Sequence, residues 1–202
     1  MRKIITFISA LVLSLILFIA VALASFVLYH TKETGKENEI KSIQNGAIIP
    51  LLAIYENAEE NELYATFLEL DTASGKCRSN VIDCDNELKM RFYSNGLYPF
   101  VDECFKKAGA DPAAFIALNS ETFVILADRL NNIIYHEQNR GKRLLTGEQA
   151  NELLTPQNFA SFSSLMAEKA MQKGLADELV FVSRICENNL SYPRLLEKTK
   201  QY

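Results

Sequence analysis

The stretch EIKSIQNGAIIPLLAIY, residues 39–55, decides how the rest of the chain is read. Its apolar residues Ile40, Ile43, Ala47, Ile48, Leu51, Leu52 and Tyr55 recur at three- and four-residue spacing, the pattern of one buried helical face. Pro50 then kinks or splits that helix, because its ring removes a backbone donor.

Working outward, residues 60–70 carry Leu63, Phe67, Leu68 and Leu70 and read as a second helix, stopped at Asp71-Thr72-Ala73-Ser74-Gly75. Asp85 caps a helix running through Phe92, Asn95-Gly96 breaks it, and Pro99 starts the next, which ends at Gly109. Phe100, Cys104 and Phe105 fall on one face of that helix. Asp111-Pro112 is a cap followed by proline and opens a helix through Phe115, Ile116, Phe123, Leu126, Leu130 and Ile134, closed by Gly141. Thr146-Gly147-Glu148-Gln149 fits a capping box, and Thr155-Pro156 repeats the cap-plus-proline device before a helix closed by Gly174. A further helix spans residues 177–188, and a short one is expected after Pro193. No alternating strand with hairpin chemistry stands out, so the expected fold class is all-α, with six to eight short helices over residues 39–202.

Ahead of that domain, residues 4–29 contain no charged side chain. A helix of that length, about 39 Å, exceeds the roughly 30 Å hydrocarbon core of a bilayer. The expected organisation is a transmembrane signal anchor at 1–30, a short linker at 31–38 and an extracytoplasmic domain. A signal peptide cleaved after Ala24, in Ala22-Leu23-Ala24, is the alternative. The expected localisation is the inner membrane with the N-terminus inside, or the periplasm after cleavage. Ala10/Ser14 and Ala20/Ala24 are small-residue pairs through which two anchors could dimerise.

Removing Arg2 and Lys3 from the 21 bases leaves 19 against 25 acids, a net of −6, which argues against a nucleic-acid partner. Cys77, Cys84, Cys104 and Cys186 are even in number and outside any zinc spacing, so disulfides are expected, paired 77–84 and 104–186 among three connectivities. Buried small hydrophobes would be the other account of the same residues.

The familiar nucleotide, hydrolase and metalloprotease motifs are absent, and neither cofactor nor metal is expected. His136 is the domain's one histidine, a candidate general base or simply a cation at a helix end. Glu56, Glu59, Glu60 and Glu62, and Asp83, Asp85 and Glu87, are acid clusters of the kind solvated helix ends carry. Tyr93 and Tyr98 flank the Asn95-Gly96 break and are the residues expected to meet a partner. The function these features imply is protein–protein binding with another envelope protein, as assembly component, adaptor or inhibitor. The alternative is an extracytoplasmic hydrolase using carboxylates, either alone or together with His136.

Overall fold

In the computed structural model, which describes residues 47–131, 133–137 and 141–190, the stretch that reads as a helical face is instead strand β1 (Ile48–Asn57). It pairs antiparallel with β2 (Glu62–Asp71) and parallel with β4 (Ala114–Asn119). With β3 (Lys76–Ile82) and β7 (Glu187–Asn188) these form a five-stranded sheet of order β3-β2-β1-β4-β7. The all-α expectation is therefore corrected to a mixed α/β fold.

The reason lies in how β1 is buried. Ile49, Leu51, Ala53 and Tyr55 face one core, while Leu52 and Ile54 face another on the opposite side of the sheet. The period of two is present, but both faces are apolar, so the alternation cancels and leaves a continuous apolar run. Pro50 is tolerated because the β1–β4 ladder begins only at Leu51, leaving Pro50 outside the two-sided stretch. In β2 likewise, Tyr64, Leu68 and Leu70 turn one way and Leu63, Ala65 and Phe67 the other.

Helices cover both faces. On one side lie α1 (Asn86–Asn95) and α2 (Leu97–Ala108), whose Leu88, Phe100, Val101, Cys104 and Phe105 meet the even positions of β1. On the other lie α3 (Ser120–Leu130), α4 (Gly147–Glu152) and α5 (Pro156–Ile185). Each fully buried Phe or Leu contributes about 1.5–3 kcal/mol relative to exposure, which is why both layers hold. A separate hairpin, β5 (Ile134–Glu137) and β6 (Gly141–Leu144), replaces the end of the helix expected before Gly141.

The caps are placed as their chemistry dictates. Asp85 Oδ1 accepts from Leu88 N at 2.9 Å, Thr146 and Gln149 form a reciprocal box, and Thr155 Oγ1 accepts from Asn158 N at 3.1 Å. Asp111-Pro112, by contrast, precedes β4, and the helix behind it starts only at the Asn119–Thr122 capping box.

All four cysteines are free thiols, so the expected disulfides are corrected as well. Cys77 is the second residue of β3, and at about 3.3 Å per residue the strand carries the chain about 16 Å from Cys77 to Ile82. Two further residues cannot bring Cys84 back within the roughly 7 Å that a disulfide allows. Cys104 lies in the α1/α2 core and Cys186 packs against the other one.

The localisation and transmembrane expectations are not upheld. Among the described residues no helix is long and apolar enough to cross a membrane, and the segments at 1–30 and 31–38, like the short helix expected after Pro193, lie outside the described residues.

Candidate functional site

A cavity of about 50 Å³ lies between the sheet and α5. Its floor is made by Leu51 and Ala53 of β1, Leu68 and Leu70 of β2, and Ile116 and Leu118 of β4. Each pair is two residues apart, the spacing that sends side chains to the same face of a strand. Leu126 and Leu130 of α3, one turn apart, close one wall. The roof is α5, which is two helical segments joined at Gly174, with φ 124° and ψ 89°. Met166 and Ala170 line the cavity from the first segment and Leu175, Leu179 and Val182 from the second.

Two polar side chains interrupt this hydrocarbon. Glu178 is 7% exposed and receives Arg129 in a two-pronged pair, Nε to Oε2 at 2.6 Å and Nη2 to Oε1 at 3.2 Å. The Arg129 guanidinium sits 4.0 Å from the centre of the Phe181 ring, and Lys173 Nζ donates to the Arg129 carbonyl at 2.6 Å. The pair therefore ties α3 to the second segment of α5. The other polar group is Ser163, 4% exposed, whose Oγ is the one buried side-chain oxygen or nitrogen among the described residues without a partner.

A second cavity, of about 230 Å³, lies at the carboxyl ends of the parallel strands β1 and β4. Glu56, Phe92, Leu97, Asn119, Thr122, Cys186 and Glu187 are among its lining residues. Partial burial raises the Glu56 carboxyl above its ordinary range. Tyr93 is 47% exposed, and its phenol is pushed up by partial burial and by the charge of Glu56. Tyr98 is 60% exposed and sits edge-on to Phe115. Tyr93 and Tyr98 are thus on the surface beside the α1–α2 break.

His136 lies in β5, opposite Lys142, rather than at a helix end. Glu56, Glu59, Glu60 and Glu62 fall in and around the β1–β2 hairpin turn, while Asp85 is occupied as a cap and in a 2.6 Å pair with Lys107. Burial pushes the Cys77 and Cys84 thiols up to about 11 and that of Cys186 up to about 12, and raises Cys104 further. These are packed, unreactive thiols. Among the described residues no group of three or more His, Cys, Asp or Glu side chains is arranged to hold a metal ion.

Sequence reading missed Ser163, Arg129 and Glu178. The signal was present: Ser163 interrupts the apolar stripe of Phe159, Phe162, Met166 and Ala170, and Glu178 that of Leu175, Leu179 and Val182.

No protein-family profile matches the chain, and no curated protein matches it either. Solved structures do. A transcriptional regulator from Enterococcus faecalis superposes with a TM-score of 0.57 at 11% identity, over 77% of this chain and 71% of that one. TagT bound to LI-WTA gives 0.53 at 12% identity, over 78% and 76%. The LytR-CPS2A-psr family protein YwtF (TagT) with bound octaprenyl pyrophosphate lipid gives 0.50 at 13%, over 70% and 77%. At these identities the likeness shows the fold: an α/β domain of the kind found in LytR-CPS2A-psr proteins.

Proposed function

We propose that this chain is a cell-envelope protein that binds the apolar chain of an amphiphile between its sheet and α5. It would work by holding that ligand or by presenting it to another envelope protein. The observation that carries the reading is the cavity itself, walled by aliphatic side chains from three strands and two helices. Support comes from the shared fold, since one structure of that fold is described with a bound octaprenyl pyrophosphate lipid. At about 50 Å³ the cavity is a third of the roughly 150 Å³ that accommodates benzene. A hydrocarbon chain must therefore spread the layers, and the break at Gly174 together with the flexible Met166 and Met171 side chains allows that movement.

The test is a titration of the full-length protein with an apolar fluorescent dye. Wild-type protein is expected to bind it, and Ala170→Leu, which fills the cavity from α5, to weaken binding about tenfold while the melting temperature is retained. Absence of dye binding by the wild type overturns the reading.

A second reading, direct protein–protein binding, is favoured by the exposed Met90, Tyr93 and Tyr98 around the α1–α2 break. It predicts that Tyr93→Ala with Tyr98→Ala abolishes capture of an envelope partner without altering dye binding. Retained capture by the double variant would remove it.

A further inference from the structure

Ser163 and its neighbours on α5 are treated very differently by the fold. Ser164 Oγ donates to the Cys77 carbonyl at 3.0 Å, and Ser183 Oγ to the Val180 carbonyl one turn back at 2.8 Å. Ser163 has the same chemistry and the same helix beneath it, yet its hydroxyl makes neither kind of bond and lines the cavity wall. Native proteins leave few buried hydroxyls unpaired, because burial without a partner forfeits the bonds that water would make. The other polar group of the cavity, Glu178, is fully engaged by Arg129 and lies beyond the Gly174 break.

We propose that the ligand of this cavity is a fatty-acyl ester or amide, whose carbonyl oxygen accepts a hydrogen bond from Ser163 Oγ while its alkyl chain lies among Leu68, Leu70, Met166 and Ala170. The proposal rests on the reading that the cavity binds an apolar chain. The oxygen is uncharged because none of the residues lining the cavity is Lys or Arg, and an ion held there would be unpaired in hydrocarbon. A hydroxyl can donate or accept, but a buried donor left unmade is the rarer state in native structures, so the partner assigned to Ser163 Oγ is an acceptor. A plain isoprenoid chain offers nothing to that hydroxyl and leaves it unpaired, so the site discriminates acyl from prenyl chains at this position.

The test uses the full-length protein, the apolar dye, and two displacing probes of equal chain length supplied through the vapour, methyl octanoate and decane. Ser163→Ala is expected to weaken methyl octanoate about fivefold and to leave decane within about twofold. Ser163→Cys, which keeps the volume and a weak donor, should fall between. The carbonyl stretch of 13C-labelled bound ester should be lowered in the wild type and return toward its free value in Ser163→Ala, a signature that a purely structural serine would not produce. Equal effects on both probes, with no carbonyl shift, would mean that the hydroxyl is met by a buried water only, and would overturn the acyl assignment while leaving the apolar cavity standing. Failure of both probes to displace dye that the wild type does bind would remove the assignment together with the cavity as the dye's site.

Discussion

Arg129 and Glu178 show how a single pair can join two layers. Glu178 is almost wholly buried while the Arg129 side chain is 40% exposed, so solvent screens part of the attraction and the two hydrogen bonds carry the rest. Arg129→Ala strands the carboxylate in a hydrocarbon wall, and we expect it to cost about 1.5–3 kcal/mol in urea unfolding. A cost below about 0.5 kcal/mol would show that water reaches Glu178 freely. The thiols make a second residue-scale prediction. Their pKa values are raised above the ordinary 9.0, so the folded state holds these protons more tightly than the unfolded state does. Their contribution to stability is complete below about pH 9 and is lost as pH rises through 11 to 12. Native protein at pH 8 should therefore react with a thiol reagent far more slowly than glutathione does, whereas denatured protein should release four equivalents without prior reduction. Fewer than four would contradict the free thiols.

Among the elements, α5 and α4 carry the sharpest constraints. Gly174 takes a backbone conformation that residues with a Cβ rarely adopt, and it is what lets one helix turn over the cavity. Gly174→Ala is expected to lower stability by about 1–3 kcal/mol and to weaken dye binding, read by melting and titration together. Gly147 is held for a different reason, close approach: a Cβ there would run into the Val124 carbonyl, so Gly147→Ala should separate α4 from α3 and cost about 1–3 kcal/mol in denaturant unfolding. Elements defined by their ends were legible in the sequence, because a cap is local chemistry. Asp85, Thr146 and Thr155 cap where their side chains reach the first turn, and the break at Gly174 falls where the apolar stripe changes phase. Elements defined by their interiors were not. In β1 and β2 the two cores take alternate residues, and Leu51-Leu52-Ala53-Ile54 satisfies a helical face as well as a doubly covered strand.

At the scale of the whole molecule, the sheet buries both faces because its helices lie on both sides, and the cavity sits where the α5 layer is divided in two. That arrangement is long-range: β1 meets β4 and α5 meets β2 only after large stretches of chain have folded, so periodicity within a window could not reveal it. Ser163 and Glu178 were visible as interruptions of apolar stripes, but only the fold brings both to one cavity. Native mass spectrometry of the purified full-length protein tests the central claim most directly. A retained species with the mass of one apolar chain per protein molecule, lost in Ala170→Leu, is the predicted result. Bare protein that takes up neither acyl nor prenyl probes would contradict it.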